Sequence, residues 1–393
     1  MDVYSVLSRI YGNWTECVLG VNSAPDLFYA GGMSTPSPAA PTLARLREYA
    51  ADTLWHEADL QAALDRLGFL QADPIRSPAR AQDLMLMQRV PGYRAGELER
   101  RYAELDTEED YFPNYGFVSR EVWTLLHPRA LREWRIEQDA PGLMERVLAH
   151  VQGVDDLHPR EATEIFGRTR VQNNWGGGSN ATTRALEALH HSGRLRIARR
   201  ESGVKVYGLP RTHPGSQDTT ERLRALVLVL ARLYAPASEA GLRLLVGLSS
   251  NEHVGLRATL KDMVQGGTLT RAVVEGVAYL WPQGEFSEQP VPSGVRIVAP
   301  FDPLVWDRRR FEHLHGWTYR FEAYTPPAKR TMGYYALPLF SAGKAVGWAN
   351  LSVSGGELNS EIGLIPGVRR TATFERALGT ELERYRRFLG LNG

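Results

Sequence analysis

The chain has 393 residues, a formal net charge of +1, ordinary apolar and charged content, and one cysteine, Cys17. That length calls for several cores rather than one. A single cysteine excludes an intrachain disulfide or a Cys-rich metal site, and no apolar run is long enough to span a membrane. The neutral total announces no nucleic-acid partner by itself, although a basic face balanced by acids elsewhere is compatible with it. Lysine occurs only at 205, 261, 329 and 344, so arginine carries nearly all the positive charge. Its planar fork suits phosphate, and genome composition explains its abundance equally well. No secretory leader is legible at the N-terminus, and a cytoplasmic protein is expected.

Residues 1–41 close on Ser34-Thr35-Pro36-Ser37-Pro38-Ala39-Ala40-Pro41, a linker-like composition, and read as a flexible extension. Helical patterning starts at Thr42, with Leu43, Leu46, Tyr49 and Ala50 on one face, and a second helix is expected over 56–64. The stretch Gly68-Phe69-Leu70-Gln71-Ala72-Asp73-Pro74-Ile75-Arg76 follows. Pro74 pushes Asp73 toward extended backbone, and residues two apart in an extended segment share a face. Gln71 and Asp73 therefore present an amide and a carboxylate side by side. Such a pair can hold one water, with the amide orienting it and the carboxylate drawing its proton. Asp73 can equally act as a cap for the next helix, expected over 79–89, whose Met-rich face reads as core. A helix starting near Ser119 closes a first unit over 42–138.

Two further units, 139–214 and 217–286, form a weak internal repeat. The first ends Gly193-Arg194-Leu195 and then Gly203-Val204-Lys205-Val206-Tyr207-Gly208; the second ends Gly267-Thr268-Leu269 and then Gly276-Val277-Ala278-Tyr279-Leu280-Trp281. Each tail reads as a two-stranded hairpin behind helices, at 143–150 and 180–191 in one and at 220–234, 238–246 and 251–265 in the other. Helices followed by a hairpin is the winged-helix order, in which the third helix enters a DNA groove; protein-interaction modules share that order. Before the helix at 180–191, Trp175-Gly176-Gly177-Gly178-Ser179 reads as a tight turn with Ser179 as N-cap and its N–H groups open to a phosphate, or as a plain flexible turn. Arg184 lies on that helix. In the wing, Arg194, Arg196 and Arg200 fall on one side of an extended strand, to track phosphates or to form a solvated face with Glu201.

Beyond a linker at 282–294 the pattern turns to β, with strands expected at 295–300, 319–324, 334–340, 345–353 and 360–364 and an amphipathic helix at 369–389. This last unit, 291–393, reads as a small barrel or sheet closed by that helix. Trp306-Asp307-Arg308-Arg309-Arg310 suits a DNA clamp or an ion-pair cluster around a core tryptophan. The histidines have no metal-ligand spacing, and there is no nucleophile elbow, P-loop or dinucleotide fingerprint. Neither metal nor cofactor is expected.

The segments Leu67 to Ile75 and Ala79-Arg80-Ala81-Gln82-Asp83-Leu84 resemble the motif region of the AlkZ/AlkX (YcaQ) DNA glycosylases, in the Gln-x-Asp form typical of AlkX. So do Phe301-Asp302-Pro303-Leu304-Val305-Trp306-Asp307-Arg308-Arg309-Arg310, Tyr324-Thr325-Pro326-Pro327-Ala328-Lys329-Arg330 and Gly333-Tyr334-Tyr335-Ala336-Leu337-Pro338. The resemblance covers roughly residues 42 to 390. It implies an α+β fold of three tandem winged-helix units and a C-terminal β-rich, barrel-like domain with a closing helix. It also implies a monomer acting on double-stranded DNA, monofunctional toward bulky N7-alkylated purines and interstrand crosslinks, with Gln71 and Asp73 catalytic. Residues expected to meet DNA are Arg76, Arg80, Ser179, Arg184, Arg194, Arg196, Trp306, Arg308, Arg309, Lys329 and Arg330. The chain departs from the family pattern at Asn114-Tyr115-Gly116-Phe117-Val118-Ser119-Arg120-Glu121, which has no histidine, and at Gly347-Trp348-Ala349-Asn350-Leu351-Ser352, where a more basic stretch is expected. A winged-helix DNA-binding regulator without chemistry would explain the repeat equally well but would not need Gln71 and Asp73 to converge.

Overall fold

The computed structural model describes residues 41–54, 56–130, 132–172, 177–211, 218–286, 291 and 293–391. The extension expected up to residue 41, save Pro41 itself, and Trp175-Gly176 of the glycine turn lie outside the described residues. The protein is a mixed α+β fold with a curled half-barrel sheet near its C-terminus. No helix among the described residues is long and apolar enough to cross a membrane.

The motif segment contains α1 (Leu43–Ala51), α2 (Leu60–Leu67), β1 (Phe69–Gln71), α3 (Ala81–Met87), α4 (Glu97–Arg101), β2 (Thr107–Tyr111), β3 (Tyr115–Ser119) and α5 (Arg120–Leu126). Thr42, Asp59 and Ser119 cap α1, α2 and α5 by accepting backbone N–H groups, as short polar side chains do at helix starts. The cap at Asp59 is why α2 begins later than its apolar pattern suggests. The strands form an antiparallel sheet of order β1-β3-β2, which the sequence reading missed.

The next segment holds α6 (Arg135–Asp139), α7 (Leu143–Val151), α8 (Pro159–Phe166), the hairpin β4 (Arg170–Gln172) and β5 (Gly178–Asn180), α9 (Ala181–His191), and the hairpin β6 (Arg196–Glu201) and β7 (Val204–Gly208). Then come α10 (Thr219–Leu233), β8 (Ala237–Ser238), α11 (Glu239–Ser249), α12 (Leu256–Gln265), β9 (Leu269–Val274) and β10 (Val277–Pro282), the three strands pairing in the order β8-β10-β9. Both expected hairpins are present.

The C-terminal part comprises β11 (Val295–Ile297), α13 (Pro303–Trp306), α14 (Arg308–His315), β12 (Leu337–Ser341), β13 (Lys344–Ser354), β14 (Glu357–Leu364) and α15 (Ala372–Leu389). Its sheet runs β11-β12-β13-β14, with a bulge between Leu339 and Phe340; such an irregularity bends a strand and sharpens its twist. Gly347 allows the tight approach to β14, because a Cβ there would lie 2.0 Å from the Gly363 carbonyl oxygen. The strand expected at 319–324 does not form. Its place is fixed instead by side chains: the Tyr319 hydroxyl donates to the Ala336 carbonyl at 2.7 Å, and the buried Glu322 carboxylate accepts from the N–H groups of Thr331, Met332 and Gly333.

Two cores hold these parts together. The larger runs from Leu60 to Phe388, and the second joins Leu46, Tyr49, Ala50 and Leu54 to Leu304, Val305, Phe311 and Phe340. The first helix thus packs against the C-terminal elements. Helix α3 is buried on every face. Just after it, Gln88 donates to the Ile297 carbonyl (2.9 Å) and to Glu381 (2.7 Å), and Arg89 forks onto Asp302 (2.7 and 3.1 Å). The motif region is therefore tied directly to the C-terminal sheet and to α15.

Candidate functional site

Gln71 ends β1, and Asp73 follows it two residues on. The register places Gln71 opposite Gly116 and Gly116 opposite Asp110. Only glycine fits in that middle position, since a Cβ on Gly116 would come 2.3 Å from the Leu70 carbonyl oxygen. Asn114, at the turn before β3, donates from Nδ2 to Gln71 Oε1 at 3.3 Å. With its oxygen engaged, Gln71 directs Nε2 elsewhere, and that buried donor has no hydrogen-bond partner among the described residues. Buried amide N–H groups are nearly always bonded, so an unbonded one two residues from the buried Asp73 is a candidate place for a ligand or water. Asp73 is held from two sides: its N–H donates to Gln82 Oε1 (3.2 Å), and its Oδ1 accepts from the Ile75 N–H (2.9 Å). It caps its own turn and does not cap α3, whose first turn has no side-chain cap.

Both side chains are only 2% exposed, and neither Gln71 nor Asp73 lines the cavity beside Tyr93 and Phe388 or the one beside Trp134 and Arg184. Pro74 and Arg76 are exposed, so the pair sits one layer beneath the surface.

Strand β2 flanks this site with buried charge that the sequence reading did not find. Thr107, Glu108, Glu109 and Asp110 are each at most 3% exposed. Glu108 accepts from Arg196 Nε (2.8 and 3.0 Å), Glu109 accepts from Arg200 (2.5 and 2.7 Å), and Asp110 binds His127 (2.8 Å) and Arg129 (2.7 Å). Burial raises Glu108 above the usual carboxylate range in spite of Arg196. Burial also pushes Glu109 and Asp110 upward, but Arg200 brings the first below that range, and Arg129 with His127 holds the second far below it. Burial drops His190, whose Nε2 meets the Glu109 carbonyl at 2.7 Å, to about 4.

The hairpin β6–β7 therefore docks onto β2, and three expectations for its cations are corrected. Arg196 is not on a DNA-facing edge; it is 5% exposed in its pair with Glu108. Arg194, Arg196 and Arg200 do not share a face, because a bulge between Ile197 and Arg199 shifts the strand's alternation. Arg194 pairs with Glu145 (2.7 Å). Ser179 does not cap α9: it lies in β5, and Asn180 takes that place by accepting from the Thr182 N–H at 3.1 Å.

The clamp expected at 306–310 is also corrected. Trp306 is core, 3% exposed, with its ring 5.4 Å from that of Tyr234. Asp307 caps α14, and Arg310 is buried on the carbonyls of Tyr234 and Pro303. Arg308 lies over the Tyr319 ring at 4.6 Å. Arg80 is half-buried in a pair with Glu99, and Arg184 binds Glu187 at 2.7 Å. The remaining candidates, Arg76, Arg309 and Lys329, are exposed, and Arg330 is half-buried over Tyr334 at 5.0 Å.

Over residues 64–388 the sequence matches the family model described as DNA glycosylase AlkZ-like. The chain belongs to the AlkZ-like DNA glycosylase family. The match begins within α2 and ends within α15, so the family's extent includes the Gln71/Asp73 pair, the β2 charge seam and the half-barrel sheet. No solved structure matches the chain. Within this AlkZ-like frame the sequence reading missed Asn114 and Gln82, which orient the pair. No motif singles them out, because each acts through one contact set by tertiary structure.

Proposed function

We propose that this AlkZ-like protein is a monofunctional DNA glycosylase that hydrolyses the N-glycosidic bond of bulky N7-alkylated purines and unhooks interstrand crosslinks made through them. The observation that carries the reading is the buried Gln71 Nε2, unbonded and aimed by Asn114, two residues from Asp73. An N7-alkylated purine is cationic and leaves without protonation. What remains is to stabilise a positively charged sugar and deliver water. Asp73 supplies the negative charge and takes the water's proton, while Gln71 Nε2 donates to that water and fixes its direction. The helix-and-hairpin segments ending in β6–β7 and β9–β10 act as winged helices on the duplex, with Arg76, Arg309, Lys329 and Arg330 toward phosphate.

Cleavage of the strand itself would need an amine to form a Schiff base. Lys205 reaches the motif sheet: its Nζ lies 4.1 Å from the centre of the Tyr115 ring, and burial lowers its pKa. Tyr115 and Gly116 leave opposite faces of β3, so Lys205 lies across the sheet from Gln71. The abasic site is left intact.

The burial of both side chains favours a second reading, a DNA-binding protein without chemistry. Release of 7-alkylguanine from duplex DNA separates the two. Asp73→Ala should lower release by ~10²–10³-fold with duplex affinity unchanged, and Gln71→Ala should lower it less. Full activity in Asp73→Ala ends the assignment. Borohydride should trap no protein–DNA adduct, and an adduct lost in Lys205→Ala would overturn the monofunctional reading.

A further inference from the structure

Beyond the C-terminal end of α3, the segment 87–94, His56 and the end of α15 line a cavity of about 320 Å³, within the range of small-molecule sites. Its floor is apolar. Met87, Val90, Tyr93 and Phe388 are all buried, and the Tyr93 and Phe388 rings stack at 22° with centroids 6.3 Å apart. Its rim carries Arg94, Arg384 and Arg387, and no carboxylate is among its lining residues. Three acids close by are engaged elsewhere: Glu97 accepts from the Arg94 N–H (3.2 Å) and from Arg101 (3.1 Å). Glu381 serves Gln88, the Ile297 N–H and Arg384, and Asp83 accepts from the Tyr93 hydroxyl and the Gly96 N–H. Arg384 is thereby neutralised, whereas the guanidinium groups of Arg94 and Arg387 have no carboxylate partner among the described residues.

A helix C-terminus attracts one cation, and Arg94 fills that role by donating to the Arg387 carbonyl. The dipole does not account for a second unpaired guanidinium beside the first over an apolar hollow. Both guanidinium groups are exposed, so water screens their repulsion, and an anion seated between them would be held by both.

We infer that this cavity is a binding site for a small organic anion, with an aromatic or apolar body against Tyr93 and Phe388 and its phosphate, carboxylate or sulfonate group between Arg94 and Arg387. The site is separate from the Gln71/Asp73 pair and does not depend on the glycosylase reading.

The test uses the full chain and 8-anilinonaphthalene-1-sulfonate, a flat aromatic sulfonate whose fluorescence rises on binding. One saturable site is expected. Arg387→Glu, an exposed position, should weaken binding by at least ~10-fold, and Arg94→Glu should do the same. Arg376→Glu makes the same charge change on α15 some ~16 Å away and should leave binding unchanged. Displacement of the dye by guanosine monophosphate supports the site and points to a nucleotide, whereas displacement by octanoate supports it and points to an acyl carboxylate. Equal dye affinity in the wild type and Arg387→Glu overturns the proposal. So does displacement by duplex DNA alone, which would make the rim part of a DNA track.

Discussion

Two sheets of this protein solve one problem in opposite ways. In the half-barrel sheet, Leu337, Leu339, Phe340, Ala345, Ala349 and Leu351 are buried, and the apolar surface removed from water holds the strands to α15 and to each other. In the motif sheet, β2 buries Glu108, Glu109 and Asp110, and each carboxylate is met by a cation from a segment distant in sequence. Apolar packing tolerates many partners of suitable volume. A buried carboxylate tolerates only a placed cation, because desolvation without one costs several kcal/mol. The half-barrel therefore supplies stability, and the seam supplies register, fixing the β6–β7 hairpin against β2, which β3 separates from the Gln71 strand.

The contrast predicts different responses to deletion. Asp110→Ala leaves the buried His127 and Arg129 without their shared anion and should cost ~3–5 kcal/mol in denaturant unfolding. A cost no greater than that of the exposed Arg194–Glu145 pair, ~0–1 kcal/mol, would remove the seam from the account. In the half-barrel, Leu339→Ala deletes volume from a fully buried site and should cost ~3 kcal/mol, growing with the cavity that remains.

Acid should weaken the seam next. His190 and His253 are lowered from an ordinary 6.5 to about 4, burial being the main cause. Between these values the unfolded chain binds protons that the folded chain refuses. Stability therefore rises with pH across that window; it is lost as pH falls below 6.5, and the loss is complete below about 4. At pH 5 the loss is about 2 kcal/mol per histidine. His253 is 2% exposed, with neither ring nitrogen hydrogen-bonded among the described residues, so His253→Phe should flatten the profile of thermal midpoint against pH. His190, and His315, which burial lowers to about 3 beside Phe340, leave a residual slope. An unchanged slope in His253→Phe would mean that ring is not held neutral.

This asymmetry also decides what was legible in the sequence. The β pattern at 334–340 and 345–353 and the amphipathic period of α15 come from residues whose burial their own chemistry predicts, and the two hairpins announce themselves by glycine spacing. Gln71 and Asp73 were found as a pair from the proline that follows them. Strand β2 was missed because acidic residues are almost never buried unless paired. The pairing partners stand near residues 127 and 200, where no local rule connects them to residue 110. The same gap turned Arg196 and Trp306 into expected DNA contacts when both are interior. It also hid Asn114, whose role rests on one contact across the sheet.

The smallest expected effect tests the comparison most sharply. Arg196 reaches Glu108 through Nε, at 2.8 and 3.0 Å, and its Nη2 has no hydrogen bond among the described residues. Burial raises Glu108 even with that partner present. The pair is thus incompletely satisfied, and its attraction does little more than offset the desolvation of both ions. Either single change, Glu108→Leu or Arg196→Met, strands the other charge and should cost ~3 kcal/mol. The double change replaces two poorly satisfied ions by apolar groups of similar length, so its net cost should fall within ~1 kcal/mol of the wild type. If the seam's task is register rather than stability, the double variant should keep its unfolding midpoint yet release 7-alkylguanine more slowly, because the hairpin is then free to shift against β2. Equal midpoints with equal activity would show that this pair specifies nothing. A double variant as unstable as the singles would show instead that the seam stabilises the fold as the half-barrel does, and the distinction between the two sheets would not hold.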